Sequence, residues 1–568
     1  MRVADRRREW QFGAGLRVLA LMALAAAPAE PALAAKFTDQ QRTRIEEPRP
    51  PGLPSDAQLE ASGAVIGKIE IVTHNIFDLA DPRDNVALFR LANRLHFRTR
   101  RSAIAAQLLF AAGQKYRARL LAETERNLRK LPYIYDAHVV PVRYRNGKVD
   151  VAVITRDVWT LSPGVSYSRT GGSNNSGFDL ADSNFLGRGK SLEFDHGRNV
   201  DRSSNTIDWS DPNLWGSWWT DALAYANSSD GKRRALQITH PFYSLETRWS
   251  VQVKAQTYDR TVSRYSLGNI ADQFQDSQSS YEVSGGVSSG LRAGWTRRWL
   301  AGMRYDRNEF LVDPTTSLPA RQLPANRRLA YPFIGFDLIQ DDYRKTGDLN
   351  QIGRTEDLDF GTEVDVEIGL ASAAFGSGER AIRFAGIARK GFQFGGHQEL
   401  FVASDFKSRV EHGRARNLVA DASADYYWRW LPEWVLYAGA SGTVTDALDP
   451  DMQLTIGGDS GLRGYPLRYE AGSSRALMTI EQRFYTDWYP FRLARVGGAI
   501  FADAGRAWGH AVVGTNQPGL LEDVGFGLRL GNTRSGLGNV LHIDCAFPLN
   551  APRGIRGFQV LVQTKQSF

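Results

Sequence analysis

The chain has little cysteine and no long apolar run. Cys545 is the single cysteine among 568 residues, which excludes an intramolecular disulfide and a cysteine-based zinc site. After residue 34, no stretch reaches the ~20 apolar residues that a membrane-spanning helix needs. The net charge of +8 is mild and includes no long basic run, so nothing favours a nucleic-acid partner. A helical membrane protein and a disulfide scaffold are both excluded.

Recognisable catalytic motifs are also missing. The nine histidines stand singly, without H-x-H or H-E-x-x-H spacing, and no phosphate-binding G-x-x-x-x-G-K-(S/T) segment is present. Gly458–Gly461 copies the string around the nucleophile of chymotrypsin-like proteases, but Leu462-Arg463 replaces the Gly-Pro that follows, and no histidine and aspartate stand in matching contexts. The sequence therefore predicts no enzymatic activity, no cofactor and no metal site.

The first residues have the features of an export signal. A basic region that includes Arg6–Arg8 precedes the short apolar stretch Val18–Ala27, and Ala32–Ala34 gives an A-x-A cleavage site. We predict a signal peptide over residues 1–34, followed by a proline-rich linker over residues 35–66.

From residue 159 onward the sequence consists of short alternating stretches separated by Gly, Asn, Asp and Pro. Of the 14 tryptophans, only Trp10 precedes Trp159, as interfacial girdles of a barrel would require. Aromatic connections at Trp428–Trp434 and Trp488–Phe491 are typical of interfacial turns, and Asp313–Arg328 of an outer loop. The pattern predicts a mainly β protein with a transmembrane antiparallel β-barrel of about 16 strands over residues 159–568. A soluble array of β-sandwiches would show the same period.

The final strand, Phe558–Phe568, ends on an aromatic residue. Phe558, Val560, Val562 and Phe568 alternate onto one face, which predicts a barrel-closing strand, although Thr564 and Gln566 share that face.

Residues 67–157 form a different kind of segment, a small α+β domain with the order β-α-α-β-β. The expected elements are a strand, two helices and a hairpin turning at Asn146-Gly147. They span Gly67–Thr73, Ser102–Ala112, Ala118–Leu131, Tyr133–Tyr144 and Val149–Thr155. The contribution of Asp78–His96 is left open.

Near the C-terminus, the glycine-rich segment Gly457–Tyr465 precedes the strand-like Phe501–Gly505. An arginine on a loop inside a barrel cannot lose its charge and needs fixed carboxylates or water, so Arg463 is expected to meet Asp503 and Glu481. Glycines would let such a loop bend sharply and approach the wall, here Gly457, Gly458 and Gly461.

These two segments resemble the (V/L)RG(F/Y) loop and the F-x-D-x-G strand of the BamA/TamA outer-membrane assembly family, also called the bacterial surface antigen superfamily. Asp182–Leu192 is similar to the family's N-(F/L)-x-G-x-G turn, and residues 67–157 look like a single periplasmic POTRA module. The resemblance implies a lumen-loop lock and turn glycines at Leu462, Arg463, Gly464, Tyr465, Glu481, Asp503, Gly505, Gly187 and Gly189.

By resemblance, the chain would lie in the bacterial outer membrane with its N-terminal domain in the periplasm. It would assist insertion and assembly of outer-membrane proteins or translocate a client polypeptide, with accessory periplasmic proteins as a further class of partner. Client strands would pair at a seam, short of hydrogen bonds, between Leu161–Ser168 and Phe558–Phe568. The alternative is a passive outer-membrane channel or structural barrel. A single POTRA-like module favours an accessory or dedicated role.

Overall fold

The computed structural model describes residues 49–565 apart from 314–315, 317–318, 320–321, 353, 512, 514–517, 533, 535–539 and 553, and apart from the side chains of 163–166. The predicted signal peptide, much of the predicted linker and Phe568 lie outside the described residues.

An N-terminal α+β domain precedes the barrel. Its sheet has the strand order β1-β3-β2, with β1 parallel and β2 antiparallel to β3. Helix α1 begins with a capping box in which the Ser55 hydroxyl and the Gln58 side chain satisfy each other's backbone N–H groups. The elements are α1 Asp56–Ala61, β1 Val65–His74, α2 Ala87–Leu95, α3 Arg101–Ala105, α4 Ala118–Arg129, β2 Ile134–Arg145 and β3 Lys148–Asp157.

The core of this domain follows from amphipathic periodicity. Leu121 and Leu128 of α4 are buried against strand residues such as Ile66, Val149 and Val151. Residues seven apart lie on one face of a helix, so the leucines that predict α4 in the sequence form the face that packs on the sheet.

Two features of this domain differ from expectation. The helix predicted over Ser102–Ala112 is wrong in length, because α3 ends at Ala105. Beyond it the chain is held by contacts outside the helix: the Gln107 side chain donates to Asn213, and the Leu109 N–H donates to the Thr124 hydroxyl. The uncertain segment Asp78–His96 contains the additional helix α2.

Most of the remaining described chain forms a closed barrel in which 20 strands are hydrogen-bonded in a ring, with neighbouring strands antiparallel and the last strand meeting the first. The expectation of about 16 strands was wrong. It assumed about 25 residues per strand and connection, whereas connections such as Gly171-Gly172 have two residues. Both of these glycines have positive φ angles, which suit a tight hairpin turn.

The barrel strands are β4 Leu161–Thr170, β5 Ser173–Asp182, β6 Ser191–Arg198, β7 Ser203–Asp211, β8 Thr220–Ser228, β9 Gly231–His240, β10 Trp249–Ser266, β11 Asn269–Arg292, β12 Trp295–Leu311, β13 Arg327–Gln340, β16 Thr362–Ala371, β17 Ala381–Phe394, β18 Gln398–Glu411, β19 Arg414–Leu431, β20 Trp434–Asp446, β23 Ser474–Tyr485, β24 Ala494–Trp508, β25 Leu521–Asn532, β26 Val540–Pro548 and β27 Gln559–Lys565. Two short hairpins lie outside the ring: β14 Tyr343–Gly347 with β15 Thr355–Asp359, and β21 Leu454–Ile456 with β22 Glu470–Gly472.

Side chains alternate between the two faces of the barrel wall. On β25, Phe526 and Leu528 are exposed on the outside of the barrel. Arg529, the next residue along the strand, is fully buried inside it. Such alternation of apolar outward and polar inward residues is what a lipid-facing barrel requires. Among the described residues, no helix is long and apolar enough to cross a membrane.

The N-terminal domain lies against one end of the barrel. The turn after β5 contacts it through Asn184, whose side-chain amide donates to the Thr99 hydroxyl at 2.8 Å. The aromatic turn containing Trp488 is at this end, because Arg492 in the same connection pairs with Asp84 of the domain. The connection between β12 and β13, which includes most of Asp313–Arg328, is at the opposite end because connections alternate along an antiparallel barrel.

Candidate functional site

A long connection between β20 and β23, residues 447–473, folds into the barrel; we call it the lumen loop. Its two arms pair as β21 and β22, and its tip holds Gly457–Tyr465. Gly458 allows close approach to the far wall, since a Cβ there would lie 2.7 Å from the Cα of Gly171 at the β4–β5 turn. The loop therefore crosses the lumen from one strand pair to another.

Arg463 lies at the tip and is almost completely buried. Its Nε and Nη2 donate to the two carboxylate oxygens of Asp503 on β24, at 2.8 and 3.0 Å, and its Nη1 donates to Glu481 on β23 at 2.9 Å. The guanidinium carbon lies 3.3 Å from the ring centroid of Phe501. The structure thus brings together the arginine and both carboxylates that the sequence singled out, in a bidentate and stacked geometry that lysine cannot reproduce.

The charged cluster is larger than the sequence indicated. Glu481 also accepts from Arg483 Nε at 3.0 Å, and Arg529 Nη1 donates to Asp544 at 2.5 Å. Asp544 lies 3.6 Å from Arg463. Three cations and three anions therefore alternate within one buried network, which satisfies charges that would be costly alone. The alternation of side chains along β23, β25 and β26 could have indicated that Arg483, Arg529 and Asp544 point inward. It could not have brought them together without knowledge of the register between the strands.

The neighbours of Arg463 fix the loop by different contacts. The backbone N–H of Gly464 donates to Asp523 at 3.0 Å, and a Cβ at Gly464 would lie 2.7 Å from the Asp523 Cβ. Leu462 and Tyr465 are fully buried in an apolar cluster with Ile456 and Leu521. The Tyr465 hydroxyl donates to the Glu522 carbonyl.

The remaining glycines divide between two places. In the lumen, a Cβ at Gly457 would lie 2.4 Å from the Pro466 carbonyl oxygen, at Gly461 2.5 Å from the Leu477 side chain, and at Gly505 2.6 Å from Ile456. Gly187 and Gly189 lie instead in the β5–β6 turn, where a Cβ would meet the Arg98 carbonyl and the Tyr133 hydroxyl of the N-terminal domain. These two glycines allow the turn to dock on the domain rather than shaping the lumen site.

A second insertion fills the lumen from the end where the N-terminal domain lies. It is the hairpin β14–β15, residues 343–359, which we call the lumen hairpin. Its tip residue Leu349 is fully buried against barrel residues such as Tyr427 and Val435. The Leu349 carbonyl accepts from Arg483 Nη1 at 3.1 Å and from the Tyr485 hydroxyl at 2.7 Å. Because Arg483 also binds Glu481, one arginine connects the lumen hairpin to the cluster that holds the lumen loop.

The sequence patterns above did not indicate the lumen hairpin. Its strands have five residues each and follow β13 after a two-residue connection, so the alternating pattern runs on without a clear break. The polar run Asp341–Asn350 could have indicated the hairpin. It is long for a connection at the end of the barrel where the turns are short.

The other end of the lumen hairpin is fixed to helix α4. Arg129 makes two hydrogen bonds to Asp357, at 2.7 and 2.6 Å, and Nη1 also donates to Glu125 at 2.5 Å. Lys345 Nζ lies 2.5 Å from Glu125, and the guanidinium of Arg126 stacks 3.6 Å above the Tyr343 ring. The N-terminal domain, the lumen hairpin and the lumen loop therefore form one chain of contacts.

Burial would raise the pKa of Glu125, but the charges of Arg129 and Lys345 and their hydrogen bonds outweigh it, so the pKa is lowered. The ionised carboxylate is thus stabilised by the contact between domain and hairpin.

The turn after β7 repeats the docking geometry of the turn after β5. Leu186 and Trp215 both adopt positive φ angles of 54° and 56° one residue before a glycine, and Asn213 takes the place of Asn184 against the domain. The sequence signal was the second copy of the D-x-N-x-x-G pattern, Asp211–Gly216, beside Asp182–Gly187. A pair of matched turns thus seats the domain under the early strands.

The barrel closes at a weak seam between β27 and β4. Among their described residues, one register pair joins them, Val562 opposite Arg169, together with a 2.6 Å side-chain bond from Gln563 to Thr170. By contrast, β27 pairs with β26 from Gln559 to Lys565, and β4 pairs with β5 over its whole length. A cavity of about 580 Å³ lies on the lumen side, lined by residues of β4, of β27 and of the lumen loop.

The side chains of β27 follow the predicted alternation as far as they are described. Phe558 and Val560 are exposed outside, whereas Gln559 between them is buried and Leu561 after them is buried against Phe501. Val562 is partly buried at the seam. The role of this strand in closing the barrel through Phe568 stays a prediction.

No family model matches the chain, and no curated protein matches it. Among solved structures, a BamA from Haemophilus ducreyi lacking POTRA domains 1–3 superposes at 12% identity and a TM-score of 0.36, covering 88% of this chain and 85% of its own. CdiB from Escherichia coli superposes at 12% identity and a TM-score of 0.44, covering 88% and 76%. FauA, the alcaligin outer-membrane receptor of Bordetella pertussis, superposes at 12% identity and 0.33, covering 73% of each chain.

These structural neighbours include BamA, which gives its name to the family that the sequence motifs resemble. The presence of a single POTRA-like module stays a prediction.

Proposed function

We propose that this chain is an outer-membrane barrel protein that assists insertion and assembly of other outer-membrane proteins, or translocates a client polypeptide, by accepting a client strand at the β4–β27 seam. The N-terminal domain would lie in the periplasm, and unfolded polypeptides and the lipid bilayer would be its partners. Arg463, Glu481 and Asp503 would hold the lumen loop in place and take no part in any chemical reaction.

The observation that carries this proposal is that one register pair joins β4 and β27 among their described residues. The backbone N–H and C=O groups of a strand in lipid need hydrogen-bond partners, because each unpaired group in hydrocarbon costs roughly several kcal/mol. Strand edges with few partners favour pairing with an incoming extended polypeptide. The seam is therefore the place on the barrel wall where a new strand would be taken up at least cost.

Two further features support the proposal. The segment from Asp157 to Leu161 enters the barrel directly beside the seam. Its Trp159 N–H donates to the Arg534 carbonyl at 2.7 Å, and this hydrogen bond holds the N-terminal domain below the seam. The lumen loop contributes residues to the cavity behind the seam. A client delivered by the domain would thus meet the seam first and the lumen loop next.

A cross-link across the seam tests the proposal. Arg169→Cys and Val562→Cys, combined with Cys545→Ser, place two cysteines on directly opposite residues, within the range of a disulfide. We expect oxidation to stop accumulation of the client in isolated outer membranes, measured by quantitative proteomics, and reduction to restore it.

The matched control is a cross-link that leaves the seam free. Ser168→Cys with Asn175→Cys joins opposite residues of β4 and β5, whose pairing is already complete. Oxidation of this pair should leave the outer-membrane protein profile unchanged. If the seam cross-link also leaves the profile unchanged, the passive channel or structural barrel is the better interpretation, and conductance becomes the measurement to make.

A further inference from the structure

Helix α2 has an exposed apolar face that nothing in the described chain covers. Leu88, Leu91 and Leu95 follow the i, i+3, i+7 spacing of one helical face and are 64%, 50% and 59% exposed, and Phe97 just beyond the helix is 58% exposed. We call these four residues the α2 apolar face. Isolated exposed leucines are ordinary, but a contiguous apolar face on a short helix indicates an interaction site.

The exposure does not result from loose packing of the helix. On the opposite face, Phe89 stacks on Phe77 at 3.8 Å between ring centroids and is buried with Ile76. The Asn93 side chain accepts from the Phe77 N–H at 3.2 Å and donates to the Phe77 carbonyl at 2.8 Å. The helix is thus held in one orientation, with its leucines directed away from the domain.

Basic residues flank the apolar face. Arg90 and Arg94 lie on the helix, and Arg98, Arg100 and Arg101 follow it; all five are exposed. For Arg94, Arg98, Arg100 and Arg101, no ion pair occurs within the described part of the chain. The nearby acids Asp81 and Asp84 are paired with Arg83, Arg492 and Arg534. The region therefore combines apolar surface with uncompensated positive charge.

The α2 apolar face continues the apolar rim of the barrel. Before the helix, Asp84 binds Arg492, whose neighbour Phe491 is the most exposed large apolar side chain of that turn. After the helix, the Arg100 N–H donates to the Gly187 carbonyl, next to the exposed Leu186 of the β5–β6 turn. In the ring of strands, these two turns lie on either side of the seam. Helix α2 therefore runs beneath the seam at the level of the barrel's apolar turns.

We propose that helix α2 lies in the interface of the lipid leaflet on the N-terminal-domain side, with the α2 apolar face among the acyl chains and the flanking arginines on anionic phospholipid headgroups. An interfacial helix of this kind combines an apolar face with basic residues and binds anionic lipid most strongly. Its placement beneath the seam would hold the N-terminal domain against the membrane where the barrel wall is weakest. This inference rests on the membrane location proposed above.

Fluorescence quenching in proteoliposomes tests the inference. The full chain carrying Cys545→Ser and Leu91→Cys is labelled with an environment-sensitive fluorophore and reconstituted in phosphatidylethanolamine with or without phosphatidylglycerol. We expect lipids that carry a nitroxide near the headgroup to remove most of the fluorescence, more than lipids with a nitroxide at the chain end. We expect the loss to be greater when phosphatidylglycerol is present.

Two reference labels separate the possible failures. Phe526→Cys reports the outer face of the barrel and Lys148→Cys the exposed first residue of β3 in the N-terminal domain, so the first should be quenched and the second should not. Quenching at Phe526→Cys without quenching at Leu91→Cys overturns the inference and leaves the barrel's location intact. Absence of quenching at both overturns the membrane location itself. Equal quenching with and without phosphatidylglycerol overturns the part assigned to the arginines.

Discussion

Arg129 in the last turn of α4 and Asp357 in the lumen hairpin are joined by two hydrogen bonds of 2.7 and 2.6 Å, across 228 residues of sequence. Both side chains are nearly inaccessible to solvent. Together with the contact between Arg483 and the Leu349 carbonyl, the pair connects the N-terminal domain to the cluster around Arg463. A contiguous set of contacts therefore runs from the N-terminal domain to the lumen loop.

Removing Arg129 should release the lumen hairpin. In Arg129→Ala, Asp357 and Glu125 lose their shared cation in a buried setting, a change that typically costs about 3–5 kcal/mol. We expect faster amide hydrogen exchange in residues 343–359 than in the parent protein, with exchange in β11 and β12 unchanged. Asp357→Asn should give a weaker effect of the same kind, and unchanged exchange of the hairpin in Arg129→Ala would show that the pair does not hold it.

The same contact should depend on pH. The lowered pKa of Glu125 means that the folded state favours the ionised carboxylate, so its stabilisation is fully present above the ordinary glutamate value, about 4.3, and is lost as pH falls through the lower folded value. Hydrogen exchange or protease cleavage of the hairpin, measured from pH 7 downward, should increase in that acid range. Glu125→Gln should remove this part of the pH dependence; a pH profile equal to that of the parent protein would contradict the assignment.

Arg463→Ala should destabilise the barrel. The substitution leaves Asp503 and Glu481 with less compensation inside the wall, at a typical cost of about 3–5 kcal/mol. Urea denaturation in lipid vesicles measures the change. The exposed pair of Arg389 with Glu363 supplies the control, since Arg389→Ala should change stability by roughly 0–1 kcal/mol.

The charge on Asp503 should account for part of that loss. Adding Asp503→Asn to Arg463→Ala removes one of the uncompensated carboxylates, so the double variant should be more stable than the sum of the single effects indicates. Additive losses would mean that Arg463 acts by packing on Phe501 and not by charge.

A methyl group at Gly464 should displace the lumen loop. A Cβ there would lie 2.7 Å from the Asp523 Cβ and 3.1 Å from the Pro548 nitrogen, so Gly464→Ala should cost roughly 1–3 kcal/mol. Gly442→Ala is the matched control, because its nearest neighbour atom would be 3.8 Å away and its φ is not in the left-handed region. Equal stability of the two variants, by the same denaturation measurement, would argue against tight seating of the loop.

The sequence by itself determined the kinds of structure present. Alternation of period two and the clustering of tryptophan after Trp159 indicated a barrel, and the Asn146-Gly147 turn and the leucines of α4 indicated a small α+β domain. The predicted hairpin strands end within two residues of the bounds of β2 and β3, since Asn-Gly fixes the turn locally. The need of Arg463 for carboxylates also followed from sequence, because guanidinium cannot lose its proton in a protein.

Tertiary structure alone decided the rest. The strand number depended on connection lengths that composition does not reveal, so the ring has 20 strands where about 16 were expected. The partners Arg483, Arg529 and Asp544 are brought to Arg463 by register between strands, which local sequence does not specify. The lumen hairpin lies inside the barrel because its apolar tip is buried against residues that are far away in the sequence, such as Val435 and Val540. Local patterns fix which elements form, whereas long-range pairing and burial fix where each one lies.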